Sequence, residues 1–96
     1  MNKNYVIHWT KEADETYIDT LSFILEKWTI KEALNFEKLT EELLVNLSHN
    51  LKLCPELKSL KLRKCVVSEQ TSMIYKIVSK SIEIVGFIDN RSKHHF

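Results

Sequence analysis

The chain has 96 residues, 44% hydrophobic and 28% charged, with a single glycine, a single proline and a formal net charge of +1. That balance excludes long linkers, low-complexity tracts and intrinsic disorder, and the length predicts one domain over residues 1–96. No apolar run approaches the roughly 18 residues that cross a bilayer, and Met1-Asn2-Lys3-Asn4-Tyr5 lacks the hydrophobic core of a secretion signal, so a cytoplasmic location with no membrane partner is expected.

The small net charge hides an asymmetry. Residues 1–56 hold six Lys and ten acids, a balance of −4, whereas residues 57–96 hold eight Lys/Arg and three acids, a balance of +5. Lys58, Lys61, Arg63 and Lys64 fall within seven positions. Such a cluster suits a polyanion or an acidic protein partner, or else a strand edge that lysines keep from aggregating. Cys54 and Cys65 stand eleven positions apart with no CxxC spacing and no Cys/His set nearby. They are expected to be two buried thiols, with no metal site, no disulfide framework and no cofactor.

Tyr5-Val6-Ile7-His8-Trp9 is rich in β-branched and aromatic residues and ends at Thr10, a good helix cap, so it predicts a strand running into a helix. Ala13, Tyr17, Leu21, Ile24 and Trp28 then recur at helical spacing, with Ile18 and Leu25 widening the stripe, over residues 11–28. Thr29 caps a second helix whose apolar positions are Ala33, Phe36, Leu39, Leu43 and Leu47. The turn between them is short enough to force an antiparallel hairpin. Pro55 ends helical structure. Strands follow over Leu60–Ser68, Ser72–Val78 and Ile82–Ile88, separated by short turns. The resulting order β-α-α-β-β-β is an α+β fold, with the N-terminal helical hairpin on one face of a mainly antiparallel four-stranded sheet.

This order, with Trp28, Ala33, Phe36, Leu39, Leu47 and Pro55 at their intervals, resembles the RelE/ParE toxin superfamily. So do Leu62-Arg63-Lys64-Cys65-Val66-Val67, Ile74-Tyr75-Lys76-Ile77, and Ile82-Glu83-Ile84-Val85 closing in Asp89-Asn90-Arg91. The resemblance covers residues 5–91 and rests on the ensemble rather than on one signature. It implies the growth-arresting toxin of a type II toxin–antitoxin system, the class also called plasmid stabilisation toxins, neutralised by a cognate antitoxin and needing no small-molecule substrate. Members act by inhibiting DNA gyrase, as ParE does, or by cutting mRNA on the ribosome, as RelE does. A decayed fold that only binds an antitoxin is a further alternative.

Metal-independent RNA cleavage needs a base, an acid for the leaving oxygen and cations for the phosphoryl charge. Arg63, Arg91, His94 and His95 are the catalytic candidates, and Lys61, Arg63, Lys64, Lys76 and Arg91 the binding candidates. The two arginines are the better phosphate clamps. Strand alternation sends Arg63 and Lys64 to opposite faces, and likewise Tyr75 and Lys76. Arg63 is favoured because Lys61 shares its face, whereas Tyr75 reads as a buried phenol with a satisfied hydroxyl. The blander readings are frayed terminal histidines and a local Asp89–Arg91 ion pair. His8 reads as a packed or edge residue, and His49 as a partner of its helix dipole. One departure stands out: the nuclease branch carries an arginine three positions before the strand tyrosine, and Ser72 occupies that place. With the weak overall basicity, this puts gyrase ahead of mRNA as the expected target.

Overall fold

The computed structural model describes residues 4–58 and 61–91. The elements are β1 (Val6–Trp9), α1 (Lys11–Lys27), α2 (Ile30–His49), β2 (Arg63–Val66), β3 (Thr71–Val78) and β4 (Ser81–Asp89), the expected order. The sheet runs β1-β4-β3-β2, with β2/β3 and β3/β4 antiparallel. β1 pairs with β4 in parallel. A parallel pair needs a long crossover, and the helical hairpin supplies part of it.

Thr10 explains why α1 begins where it does. Its hydroxyl accepts from the Ala13 N–H at 3.0 Å and donates to the Ile84 carbonyl at 3.0 Å, so one side chain caps the helix and ties it to β4. Thr29 repeats the cap for α2 by accepting from the Glu32 N–H at 3.2 Å. A β-bulge between Ile74 and Tyr75 shifts the β3/β4 register. Close by, the Phe87 N–H donates to Thr16 Oγ1 at 2.9 Å, which fixes α1 against the bulged strand. The chain's one glycine, Gly86, lies where α1 comes close: an added Cβ would meet Thr16 Oγ1 at 3.4 Å.

The core between hairpin and sheet centres on Trp9, Tyr17, Phe36 and Phe87. Phe87 lies 5.6 Å from Trp9, 5.2 Å from Tyr17 and 6.1 Å from Phe36, in tilted and offset arrangements favoured by ring quadrupoles. Burial pushes the Tyr17 phenol up from its ordinary value, and the Glu37 and Glu41 carboxylates add to that. Ala13 and Ile24 are buried on α1, but Ile18 and Leu25 are 61% and 52% exposed. The stripe is therefore narrower than the sequence suggests, because each stands about 100° around the helix from a packed neighbour.

Two sequence expectations need correction here. β2 begins at Arg63, because Lys61 takes a positive φ of 54° that interrupts extended backbone, and Leu60, the expected start of the strand, lies outside the described residues. Lys61 is thus off the strand and does not share a face with Arg63 by alternation. The cysteines are not free thiols: Cys54 and Cys65 form a disulfide with a Cα–Cα distance of 5.3 Å. Their spacing concealed this, because Pro55 turns the chain back so that the loop after α2 lies alongside β2.

Candidate functional site

The sheet has two unlike faces. Cys65, Met73, Tyr75, Ile82, Ile84 and Phe87 belong to the core against the hairpin. By alternation the opposite face takes Lys64 from β2, Ser72, Ile74 and Lys76 from β3, Glu83 from β4 and His8 from β1. His8, Glu83 and Lys76 lie in one row across three strands. Lys76 Nζ sits 3.2 Å from Glu83 Oε1, with both side chains more than a third exposed, so this cation is partly neutralised by a carboxylate. The face is mixed in charge rather than uniformly cationic.

Arg63 takes the other face, that of Cys65 and Met73. Its Nη1 donates to the Cys54 carbonyl at 2.6 Å. Beside it the Tyr75 hydroxyl donates to the Leu51 carbonyl at 2.7 Å and accepts from the Cys54 N–H at 3.4 Å. Burial raises the Tyr75 phenol above its ordinary value, while the Cys54 backbone bond and the Arg63 guanidinium pull it partly back. Arg63 and Tyr75 together hold the loop after α2. The buried-phenol reading of Tyr75 fits this geometry, and one donor of Arg63 is committed to the backbone.

Arg91 closes β4 and binds the Asp89 carboxylate twice, through Nε and Nη2, each at 3.3 Å. The Arg91 side-chain hydrogen bonds, with a backbone N–H bond, hold the Asp89 carboxyl below its ordinary range. Arg91 also lines a cavity of about 260 Å³ with Thr16, Asp19, Phe23 and Phe87. Arg63 pairs with Tyr75, and Asp89 pairs with Thr71, four residues away along β3. At about 3.4 Å per residue that is about 14 Å along the strand, with β2 and β4 on opposite sides of β3, and the two arginines do not converge. Lys61 and Lys58 are exposed near the start of β2. His94 and His95 lie outside the described residues. Among the described residues no three His, Cys, Asp or Glu side chains gather as a metal site.

Ser72 is fully buried, and its Oγ donates to Asn90 Oδ1 at 2.5 Å. Asn90 in turn donates from Nδ2 to the Ser68 carbonyl at 3.3 Å and the Glu69 carbonyl at 3.2 Å, and its N–H donates to the Gln70 carbonyl at 2.7 Å. This network clasps the β2–β3 turn to the end of β4.

The chain matches no protein-family model, and no curated protein matches it by sequence. Solved structures do match. A chain of the chromosomal ParDE TA (toxin–antitoxin) system from P. aeruginosa superposes with a TM-score of 0.73 at 13% identity, over 91% of this chain and 97% of that one. The YoeB dimer from Staphylococcus aureus gives 0.63 at 19%, over 97% and 99%. YafQ from E. coli strain BL21(DE3) gives 0.59 at 16%, over 91% and 94%. The chain shares the fold of these structures.

Within this fold the Ser72 side chain is fully buried and holds Asn90 at the end of β4. The hydroxyl is enclosed and already bonded, so a guanidinium there would displace Asn90 from the turn. Removing the hydroxyl by Ser72→Ala is expected to lower stability by about 1 kcal/mol, measured by urea denaturation, because the Asn90 carbonyl oxygen loses its donor. Sequence reasoning missed Asn90, Thr16 and Glu56. Glu56 forms an isolated antiparallel bridge with Arg63 and brings a carboxylate to the loop corner. Its one sequence signal is its position just after Pro55 and just before the basic cluster.

Proposed function

We propose that this protein is the toxin of a type II toxin–antitoxin pair, that it arrests growth by binding and inhibiting DNA gyrase, and that a cognate antitoxin neutralises it. The likeness in fold to a chain of the ParDE system, spanning nearly all of both chains, supports the toxin reading. The observation that carries the choice of target is Ser72, enclosed and bonded to Asn90 at the position the nuclease branch gives to arginine. Three further features favour a binding mode over RNA cleavage. Arg63 is turned into the loop, Arg91 is paired with Asp89, and Lys76 is paired with Glu83.

The competing reading, a metal-independent mRNA endoribonuclease, draws on the similar coverage of YoeB and YafQ and on Lys64 and Lys76 sharing the open face. Induction in a host lacking any antitoxin separates the two. The gyrase reading expects growth arrest with intact transcripts and accumulation of gyrase-linked DNA breaks. Arrest with transcripts cut inside translated regions and no DNA breaks favours the nuclease, and unimpaired growth with folded protein favours a fold that has lost its toxicity. In the cell the antitoxin is expected to be the product of an adjacent gene that copurifies with this chain, and a fold-related chain is found in a YoeB-YefM complex from Staphylococcus aureus.

A further inference from the structure

β2 is the last strand in the sheet order, and its outer edge is covered by the loop after α2. The Lys64 N–H donates to the Pro55 carbonyl at 3.1 Å, Glu56 bridges Arg63, and the Leu57 N–H donates to the Leu62 carbonyl at 2.7 Å. The loop thus acts as a short substitute strand over backbone groups that would otherwise be open to pairing. Cys54, the residue before Pro55, is joined to Cys65 on that same β2, and these are the chain's two cysteines.

We propose that the Cys54–Cys65 bond is a redox latch that governs access to the outer edge of β2. In the oxidised chain the covalent link holds the loop on the strand. A dithiol reductant opens it through a mixed disulfide: the S–S bond of the chain breaks, Cys54 and Cys65 each end as a protonated thiol, and the reductant's two sulfurs, having given up two electrons and two protons, form the new disulfide. The loop is then held by its hydrogen bonds alone. Reducing compartments keep such pairs as thiols, and disulfides that form there are usually transient or redox-sensing, which is the behaviour of a latch rather than a permanent staple.

Position supports this further. Cys54 is 8% exposed and Cys65 is 2% exposed, so an attacking thiolate reaches the bond only when the loop lifts. Lifting is opposed by the Arg63–Cys54 bond at 2.6 Å and the Tyr75–Leu51 bond at 2.7 Å. Loop opening and reduction therefore promote each other. The latch does not depend on whether the target is gyrase or mRNA, and it is tested without any toxicity readout.

The test is amide hydrogen exchange on the full chain, oxidised and after dithiothreitol, with thiols counted by alkylation and mass measurement. The expected result is no alkylated cysteine in the oxidised chain and two after reduction. Exchange at the Lys64 amide should rise by at least about tenfold on reduction while the amides of β4 keep their rates. A Cys54→Ser, Cys65→Ser double variant should match the reduced chain with or without dithiothreitol; if it fails to fold, the wild-type comparison decides. Unchanged exchange at Lys64 on reduction overturns the latch. So does exchange rising equally across β4, and so do two free thiols persisting after incubation with oxidised glutathione.

Discussion

Replacing Phe87 by alanine is expected to cost about 3–5 kcal/mol, the range for truncating a buried aromatic side chain. Phe87 is in contact with each of Trp9, Tyr17 and Phe36, so its loss opens a cavity bordered by β1, α1 and α2 at once. These rings come from three elements anchored by different backbone bonds, and collapse to fill the space would have to move all three. A domain of this length is stable by about 5–14 kcal/mol, so the substitution removes a large share of that stability. Urea denaturation followed by tryptophan fluorescence measures it through Trp9. A loss under about 1 kcal/mol would mean that the hairpin does not pack on the sheet through this ring.

The second large effect is expected at Tyr75. Tyr75→Phe keeps the ring but removes the hydroxyl that donates to Leu51 and accepts from Cys54, leaving two backbone groups of a mostly buried corner with one partner fewer. The expected cost is about 1–3 kcal/mol, near the upper end if water cannot enter. The same hydroxyl gives a pH signature. Its folded pKa lies above the ordinary value of 10.0, so the folded chain holds the phenol proton more tightly than the unfolded chain does. That contribution is fully present below pH 10.0 and is lost as pH rises through the folded pKa. Wild type should therefore lose stability in the alkaline limb by more than Tyr75→Phe, whose residue there cannot ionise. Parallel alkaline limbs for the two proteins, compared by thermal melting, would contradict this placement of the hydroxyl.

Most of the architecture was legible because local signals agreed with one another. Thr10 and Thr29 announce both helices as caps, the runs read as β3 and β4 match the observed strands to within one residue at each end, and Pro55 marks the exit from helix. What stayed hidden depends on contacts between residues distant in the chain. The disulfide requires the loop to fold back along β2, which the ten intervening residues do not announce. The bulge beside Tyr75 breaks the strict alternation of β4, so sequence parity alone cannot say which side each of its residues takes. Lys61 was read as part of the strand because lysine carries no signal for positive φ.

The candidate site was less legible than the fold. Alternation sends Arg63 and Lys64 to opposite faces, and the preference for Arg63 rested on Lys61 continuing the strand. In the fold Arg63 serves the loop, and Lys64 and Lys76 lie on the face away from the hairpin. Ser72 was noticed as a missing arginine, but its partner Asn90, eighteen residues on, had no reason to stand out. A short polar side chain in a strand looks alike whether it faces water or closes a turn, and burial alone separates the two.

Trapping of gyrase on DNA separates the proposed protein-binding mode from RNA cleavage. Purified chain incubated with gyrase, plasmid and ATP should accumulate linear DNA whose ends carry covalently attached gyrase, released by protease treatment. Plasmid that remains supercoiled at every toxin concentration, while the same preparation cuts mRNA on translating ribosomes, would contradict the binding mode.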